Sequence, residues 1–576
     1  MAELTDVIMN LQRFSWPDYL VLVLMLFLCI LIGIYFGIKQ KSTSENEYLM
    51  GGRTMSIFPV AMSLVASFIS GITLLGLPTE IYSFGIQYVY VIGGVIAMGI
   101  VMGYVFLPVF HDLKITSTYE YLESRFDKRL RMFGSVMFTV MNIGYLPIVV
   151  YVPALAFNQV TGVNVHIITP IVCVVCVFYT SLGGLKAVVW TDVVQSFSMF
   201  GALILVAVKG SIDLGGAGIV FKNALDTDRI EAPSFDFNPT VRHTIWSQII
   251  GGLFYWTQTN AVSQNMIQRY LSLPTLRHAR RALWIFVIGV IFLMLLCTYN
   301  GLLIYATYRT CDPLTTKLAK ARDQLLPLFV MDVLGQYPGL SGLFIAGVFS
   351  AALSSLSTCL NSMSAIVLED FVKPFVAKPL SSRTISWIMR SVVVVVGAIC
   401  VALVVVVQKM GTVLQLTMSI EAITNGPLLG IFTIGILLPW INGNSALMGG
   451  IAGVVTMSWV SLNAQWAIAS GAIHFEHKLT SVDDCDYNFD ANSMVNVTKV
   501  IEAETVFPLY RISYMWYTFF GAMVAIIVAC IWTCIFGGND PADVDSSLLT
   551  PLIRNRFHKK VSLRVSVGYT SGKFIN

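Results

Sequence analysis

A row of hydroxyl and amide side chains interrupts an apolar stretch in the second half of the sequence. Its members recur at helical spacing and lie on one face: Ala351, Ser354, Ser355, Thr358 and, one turn further, Asn361. Hard cations take oxygen ligands, so a row of this kind inside a membrane can bind an ion such as Na⁺. Hydroxyls also join packed membrane helices through hydrogen bonds, and the residues leave both interpretations open.

A second stretch, from Ala66 to Glu80, carries Ser, Thr, two Gly and Pro78 in an otherwise apolar run. This composition predicts a membrane helix that is broken near its centre. A break frees backbone carbonyls, and these suit a small cation such as Na⁺. Small residues also allow helices to pack closely, and both interpretations stand equally at this point.

Two acids, Asp192 and Glu421, fall within or at the edge of apolar stretches. Asp192 lies near the inner end of its stretch, where a structural ion pair and a role in transport are both open. Glu421 is deeper, and an intramembrane acid is a functional residue by default. We expect Glu421 either to line a hydrated cavity or to take up a proton. The alternative is a shift of the helix that exposes Glu421 to outer water.

Composition supports a membrane protein and excludes several other classes. The 576 residues are 56% hydrophobic and only 12% charged, about half the charged share of soluble domains. The formal charge of +4 is too small to indicate a nucleic-acid partner. Walker A, HExxH, GxSxG and paired CxxC motifs are missing, so the sequence does not predict an enzyme or a bound cofactor. The run from His474 to His477 could hold a metal, but a solvated loop is the stronger interpretation.

The fold class is therefore an all-α polytopic membrane protein. A helix needs about 20 apolar residues to cross the hydrocarbon core. By that rule we predict about 13 spans, at 17–38, 56–82, 87–110, 132–156, 165–182, 188–208, 244–264, 282–306, 341–368, 384–407, 413–438, 446–464 and 512–536.

Lys and Arg set the orientation. With the N-terminus outside, the inner segments hold 23 of the 36 basic residues, so the sequence predicts an outer N-terminus and an inner C-terminus. The domains are then an extracellular N-terminus (1–16), a transmembrane domain (17–536) and a cytoplasmic tail (537–576) that is partly disordered. The stretch from Leu314 to Leu334 is expected to form a short surface helix.

The long outer loop near residue 490 contains two candidate modification sites. Asn496 begins the only Asn-X-Ser/Thr sequon in which X is not Pro, and it lies on the predicted outer side, where a glycan is attached. Cys311 and Cys485 are the only cysteines in outer loops, and a disulfide between them fits that oxidising side. The sequence alone does not establish that they are close.

Several short blocks, in a specific order and spacing, carry a family resemblance. The sequence resembles the sodium/solute symporter family, and within it the branch of sodium-coupled monocarboxylate, multivitamin and iodide transporters. The blocks are Leu75–Glu80, Thr116–Phe126, Tyr179–Asp192, Gln268–Ser272, Glu369–Pro374 and Gly426–Gly430.

The resemblance implies an inverted-repeat fold of the LeuT type, with five-helix repeats at 56–208 and 244–438. Spans 2 and 7 would be broken at the centre, and in span 7 Gly251-Gly252 and the polar run from Thr257 to Asn260 are consistent with this. It also implies a sodium site and a solute site. The sodium ligands would be the carbonyls of Ala66, Ile69 and Ala351 and the hydroxyls of Ser354 and Ser355, with Asp192 on the sodium exit route. The solute would contact Phe68, Thr73, Trp256, Gln258 and Asn361.

Two departures from the family pattern lie near this solute site. The run from Asn260 to Gln264 replaces the usual Tyr-Gly-Val-Asn-Gln, and Glu421 stands where relatives carry an apolar residue. We therefore add Glu421 to the expected solute contacts. The leading expectation is a plasma-membrane symporter in which inward Na⁺ flow imports a small organic anion, a monocarboxylate or a vitamin such as biotin or pantothenate. A non-transporting sensor and a transporter of a non-anionic solute are the alternatives. The sequence leaves the oligomeric state open.

Overall fold

The computed structural model describes residues 2–3, 14–38, 45–319, 321–376, 380–408, 413–473, 475–489 and 506–554. The chain is predominantly helical. In chain order the helices are α1 Trp16–Ile38, α2 Glu45–Met50, α3 Ile57–Phe68, α4 Gly71–Phe84, α5 Ile86–Leu113, α6 Glu120–Arg125, α7 Lys128–Thr161, α8 Val165–Asp213, α9 Ala217–Asp226, α10 Gly252–Ala261, α11 Gln264–Leu271, α12 Leu276–Thr307, α13 Leu325–Leu334, α14 Leu340–Ile366, α15 Ser382–Val407, α16 Val413–Leu437, α17 Gly443–Ala469 and α18 Tyr517–Phe536. Strands β1 Ala2–Glu3 and β2 Tyr487–Asn488 pair in parallel.

Ten helices in the described part of the chain are long and apolar enough to cross a membrane. They are α1, α5, α7, α8, α12, α14, α15, α16, α17 and α18. Each contains a sufficiently apolar window of 18 residues with at most two charged side chains. Predicted spans 2 and 7 are missing from this set because each is built from two shorter helices.

The helix α8 consists of two antiparallel segments. Gly184 has a φ of 57° and a ψ of −153°, so the helix is interrupted there. Contacts with α1 show how the two segments are arranged. Gln195, after the interruption, donates to the sulfur of Cys29 in α1 at 3.4 Å, and Tyr179, before the interruption, packs directly on Gly33 of α1. A straight helix would separate Tyr179 from Gln195 by about 24 Å, whereas Cys29 and Gly33 are one turn apart. The chain therefore reverses at Gly184, as expected from spans 165–182 and 188–208.

Predicted span 2 is interrupted between α3 and α4. Ile69 (φ −83°, ψ 103°) and Ser70 (φ −89°, ψ 169°) have extended backbone, and a new helix begins at Gly71. Pro78 does not mark the break, because it lies within α4. The last turn of α3 therefore ends beside the first turn of α4 with helix-end carbonyls that lack their usual partners.

Predicted span 7 is also interrupted, but the break differs from the one suggested by its glycines and polar run. The polar residues are helical within α10, and the interruption falls at Val262 and Ser263, before α11. Gly251 and Gly252 serve close packing instead. A Cβ on Gly251 would lie 2.4 Å from the Met515 carbonyl oxygen, and a Cβ on Gly252 would lie 2.8 Å from Val91.

The helix α14 is the core of the molecule, and 94% of its most apolar window is buried. Small residues allow this, since a Cβ on Gly347 would lie 2.7 Å from Ala202 of α8. The hydroxyl row of α14 is therefore held between α3, α7 and α8 and does not face lipid.

Two segments outside the long helices are packed more closely into the protein than expected. Among the described residues from Leu314 to Leu334, only those from Leu325 are α-helical. This helix, α13, is largely buried because its apolar side chains pack into the protein. The described part of the tail, up to Arg554, is packed: Tyr121 donates to the Leu548 carbonyl at 3.1 Å, and Leu549 is buried. The predicted partial disorder therefore does not concern this part of the tail, and residues 555–576 lie outside the described residues.

Candidate ion and solute sites

The hydroxyl row of α14 meets the last turn of α3, just before the break. The Ser67 hydroxyl lies 2.8 Å from the Thr358 hydroxyl and 3.3 Å from that of Ser354. Ser355 donates to the Ser67 carbonyl at 3.2 Å. The break in α3 and the row in α14, which the sequence identified separately, thus form one cluster of oxygen atoms.

All five residues expected to bind sodium are buried in this region: Ala66, Ile69, Ala351, Ser354 and Ser355. Ala66 and Ile69 lie at the interrupted end of α3, where backbone carbonyls lose their helical partners. The carbonyl that Ser355 contacts belongs to Ser67, which the resemblance did not name. The arrangement supplies hydroxyl and carbonyl oxygens, the ligands that a hard cation takes.

Asp192 of α8 is joined to this cluster and to an arginine. Its carboxylate accepts from Ser63 at 2.6 Å and from Ser67 at 3.2 Å. The Arg269 guanidinium lies 3.2 Å from the same carboxylate oxygen, and both side chains are fully buried. Arg269 also donates to Thr358 and, at 2.6 Å, to Ser63.

Asp192 therefore forms an ion pair and also contacts the oxygen cluster, so the two roles left open by the sequence are compatible. Arg269 lies within the family block Gln268–Ser272, but the sequence did not predict it as a partner of Asp192. The signal that could have revealed it is a charged residue within the polar block that directly follows an interrupted helix.

A cavity of about 60 Å³ lies between the two interrupted helices, α7, α14 and α16. A water molecule needs roughly 15 Å³ by the same measure, so the cavity accommodates only a small solute. Aromatic, hydroxyl, amide and carboxyl side chains line it: Ser67, Phe68, Ser70, Thr73, Tyr145, Tyr255, Thr259, Ser263, Asn265, Cys359, Thr417, Glu421 and Asn425, together with Ile72, Met141, Met266 and Met418.

The six expected solute contacts have different positions. Phe68, Thr73 and Glu421 line the cavity. Trp256 stacks behind Phe68, with ring centroids 4.1 Å apart, and Gln258 donates to Glu421 at 3.3 Å. These two residues therefore support the wall of the cavity. Asn361 is buried further along α14 and is not part of the lining.

Glu421 is 8% exposed and is held by neutral hydrogen-bond donors. Its partners are the Tyr255 hydroxyl and the Gln258 amide. In the part of the chain that is described, no Lys, Arg or His nitrogen lies within 4.0 Å of its carboxyl group. The environment of Glu421 therefore differs from that of Asp192, which forms an ion pair with the buried Arg269. Three further lining residues were not expected in this site: Tyr145 of α7, Tyr255, which precedes Trp256 in α10, and Cys359, which follows Thr358 in α14.

Of the other expected sites, the cysteine pair is present, and Cys311 is joined to Cys485 by a disulfide. Asn496 and His474 lie outside the described residues. His477 lies 2.8 Å from the Arg322 guanidinium. Among described residues no group of three or more His, Cys, Asp or Glu side chains is placed to hold a metal ion.

A polar cavity enclosed by two interrupted membrane helices is the arrangement of a secondary transporter. A model of the sodium:solute symporter family matches residues 48–453, well over half of the chain, and the protein belongs to that family. It is therefore a sodium-coupled transporter and not an enzyme.

Three relatives named as sodium-coupled or sodium-dependent transporters match nearly the whole chain. The sodium-coupled monocarboxylate transporter 1 of Xenopus laevis is 38% identical over 92% of this chain and 87% of its own length. The human sodium-coupled monocarboxylate transporter 2 is 36% identical, over 94% and 88%. A putative sodium-dependent multivitamin transporter of Drosophila melanogaster is also 36% identical, over 91% and 87%.

Solved structures agree on the fold. A Na⁺-coupled sialic acid symporter in a substrate-bound outward-open state superposes with a TM-score of 0.73 at 25% identity, covering 92% of this chain and all of that one. A nucleobase-cation-symport-1 family transporter has a TM-score of 0.52 at 13% identity, covering 86% and 97%, which is similarity of fold alone.

Proposed function

We propose that this protein is a plasma-membrane symporter in which inward Na⁺ flow imports a small monocarboxylate by alternating access. The observation that carries the proposal is the cavity, because it adjoins the oxygen cluster at the break of α3. One wall of the solute site is thus continuous with the candidate ion site. The names of the relatives, which cite monocarboxylate and vitamin transport, support the same class of solute.

We assign the sodium site to the carbonyls of Ala66, Ile69 and Ala351 and the hydroxyls of Ser354 and Ser355. A bound Na⁺ would hold the interrupted end of α3 against α14 and so complete the wall formed by Ser67 and Phe68. One Na⁺ crossing about 100 mV supplies about 2.3 kcal/mol, which supports a solute gradient of roughly 50-fold. Asp192 lies beside this site on the route that Na⁺ takes toward the inner side.

Size distinguishes between the solutes that the relatives carry. In this structure the cavity of about 60 Å³ is of a size for a monocarboxylate of a few atoms, which favours the smaller of these solutes. The hydroxyls of Ser70 and Thr73 and the amide of Asn265 are among the neutral donors that line the cavity and could bind a carboxylate. Phe68 and Met266 supply the apolar surface for its short chain.

A second candidate is a Na⁺-dependent transporter of a non-anionic solute, and Glu421 favours it. An ionised carboxyl group in the cavity would repel a carboxylate solute and would bind a hydroxyl or a cationic amine. The two candidates share the ion site and differ only in the solute.

We also propose the arrangement of the chain in the membrane: 13 spans, an outer N-terminus, an inner C-terminus and inverted repeats at 56–208 and 244–438. Interruptions in both α3–α4 and α10–α11, the first spans of the two repeats, support this assignment. Counting α8 as two spans and each interrupted pair as one raises the ten long helices to 13.

The test is uptake by cells expressing the protein, with Na⁺ or with N-methyl-D-glucamine as the external cation. Labelled lactate, pyruvate, biotin, pantothenate, iodide, a sugar and choline are compared. Na⁺-driven uptake of lactate or pyruvate is the expected result. Na⁺-driven uptake of only a neutral or cationic solute establishes the second candidate. Equal uptake with and without Na⁺ for every accumulated solute contradicts both.

A further inference from the structure

A buried ion pair closes the outer end of the interrupted helix α4. Glu80 lies near the end of α4, and Arg242 lies in the segment that leads into α10. The Arg242 guanidinium donates to both carboxylate oxygens of Glu80, from Nε to Oε1 at 2.7 Å and from Nη2 to Oε2 at 3.1 Å. The two side chains are only 7% and 13% exposed. A two-point contact of this kind fixes geometry as well as charge.

The same carboxylate is held by a third part of the chain. His243 Nε2 lies 3.1 Å from Glu80 and 3.0 Å from the hydroxyl of Tyr514, in the turn before α18. The Tyr514 hydroxyl also donates to Glu80 at 3.4 Å. Burial holds the pKa of His243 below its ordinary value although Glu80 acts in the opposite direction, so the imidazole serves as a neutral hydrogen-bonding group.

Aromatic rings cover the ion pair. The Arg242 guanidinium carbon lies 4.3 Å from the Phe84 ring, 4.7 Å from Phe475 and 4.9 Å from Tyr514. These cation–π contacts are stronger where water is excluded. Phe475 belongs to the outer loop that follows α17, so four separate segments meet at this point.

The position of this cluster relates it to the solute cavity. Thr73 lines the cavity near the start of α4, and Glu80 is two turns beyond it, about 10 Å further along the helix. Arg242 precedes α10, which contributes Tyr255 to the cavity. The ion pair thus ties together, on the predicted outer side, the two interrupted elements that enclose the solute.

We propose that Glu80, Arg242, His243 and Tyr514 form the outer gate of this transporter. The gate is closed in this structure. To open the cavity to the outside, the Glu80 carboxylate must separate from Arg242 while water enters to solvate both groups. This inference rests on alternating access, which is part of the proposed function. Removing the charge of either partner lowers the cost of opening and shifts the transporter toward its outward-open form.

Cys359 provides a reporter that does not require a known solute. It lines the cavity and is 2% exposed, so an external reagent reaches it only when the outer gate opens. Cells are treated with a membrane-impermeant charged thiosulfonate, and modification of the Cys359 peptide is followed by mass spectrometry. The partly exposed Cys530 and Cys534 are first replaced by Ser.

We expect Glu80→Gln and Arg242→Gln to raise the rate of Cys359 modification on the order of tenfold. The matched control is Glu231→Gln. Glu231 pairs with Lys478 at 2.8 Å, also on the outer side, but this pair joins two loops and not the two interrupted helices. Its loss should leave the rate unchanged. Equal rates in wild type, Glu80→Gln and the control, at equal surface expression, would overturn the proposal.

A second experiment covers the case in which the charge variants do not reach the surface. In the Glu80→Cys, Arg242→Cys double variant, a short bifunctional thiosulfonate should abolish Cys359 modification, and reductant should restore it. Continued modification after crosslinking contradicts the gate. Because neither readout measures uptake, a gate that behaves as expected alongside failed solute uptake refutes only the solute assignment. Na⁺-driven uptake with unchanged labelling refutes only the gate.

Discussion

Asp192 and Glu421 are both buried acids, yet their surroundings give them different roles. Asp192 forms an ion pair with Arg269 at 3.2 Å, and its hydrogen bonds with serine hydroxyls connect it to the oxygen cluster. Glu421 has only the neutral donors Tyr255 and Gln258 and faces the solute cavity. A substitution at Asp192 should therefore affect the ion site, whereas a substitution at Glu421 should affect the solute site.

The ion site is tested by removing the two hydroxyl groups among the proposed sodium ligands, those of Ser354 and Ser355. Ser354→Ala with Ser355→Ala removes two oxygen ligands, so the Na⁺ concentration for half-maximal uptake should rise by at least on the order of tenfold, or uptake should vanish at normal surface expression. Ser364→Ala is the control, because this buried serine of α14 donates only within its own helix, to Asn361 at 2.7 Å. Unchanged sodium activation in the double variant would refute the site.

At the solute site, Glu421→Gln should change the selectivity or the pH dependence of uptake and leave sodium activation nearly intact. The carboxyl group lines the cavity and is bonded to Gln258, whereas no hydrogen bond among the described residues joins it to the oxygen cluster of Ser67, Ser354 and Thr358. Glu421→Asp keeps the charge and serves as the matched control. Wild-type selectivity and a wild-type pH profile in Glu421→Gln would show that the carboxyl group takes no part in solute binding.

Asp323, in the predicted outer loop before α13, gives rise to a pH dependence of stability. Burial raises its pKa from 3.8 to about 6, opposed by Arg322 and assisted by Glu80. Folding therefore favours the protonated form, and this contribution is present below about pH 4 and is lost as the pH rises through 6. Asp323→Asn should raise the melting temperature of the purified protein at about pH 7.5 but not at about pH 4. An equal shift at both pH values would contradict this origin.

Among the helices, the Asp192–Arg269 pair joins α8 to α11, and Ser63 and Thr358 extend it to α3 and α14. Arg269→Gln leaves Asp192 buried without its partner and should cost about 3–5 kcal/mol, measured as loss of thermal stability in detergent. Arg129→Gln is the control, because the Arg129–Asp127 pair is 62% and 29% exposed, and its loss should cost under about 1 kcal/mol.

Adding Asp192→Asn to Arg269→Gln should restore part of the lost stability, since the double variant no longer buries an unpaired charge. Equal stability losses for Arg269→Gln and Arg129→Gln would show that the buried pair contributes no more than an exposed one.

Local patterns predicted much of the element structure. The spacing of Ser354, Ser355 and Thr358 defined a helix face, and the hydropathy of 165–182 and 188–208 identified two segments that turn at Gly184. The break in span 7 was harder to locate from the sequence. The polar residues from Thr257 to Asn260 form ordinary helical backbone hydrogen bonds within α10, and the helix is interrupted only after them.

Contacts between distant elements could not be predicted in the same way. The partner of Asp192 is 77 residues away along the chain, and Cys359 and Tyr145 reach the cavity from different helices. No periodicity within one helix records which neighbour its face will meet. The resemblance supplied part of this information, but it named Asn361, which lies outside the cavity lining, and missed Tyr255.

For the whole molecule, long-range contacts agree with the proposed division between the two sides of the membrane. Arg554 of the tail pairs with Asp112 at 3.4 Å, and Lys186 pairs with Glu47 at 2.7 Å, all on the predicted inner side. Cys311 and Cys485 join two loops of the predicted outer side. None of these contacts would form if one of the two partners were on the opposite side.

The division predicts where the chain is modified and where its end lies. Asn496 follows Cys485 by 11 residues in the same outer loop, so it should carry the single N-linked glycan. Asn496→Gln and Thr498→Val each destroy the sequon and should collapse any glycoform ladder to one band, whereas Asn492→Gln, in the same loop but outside a sequon, should leave it unchanged. A C-terminal epitope tag should stain only after permeabilisation, because Arg554 is held against the inner residue Asp112. Staining of intact cells, or a ladder that persists in both sequon variants, would overturn the proposed orientation.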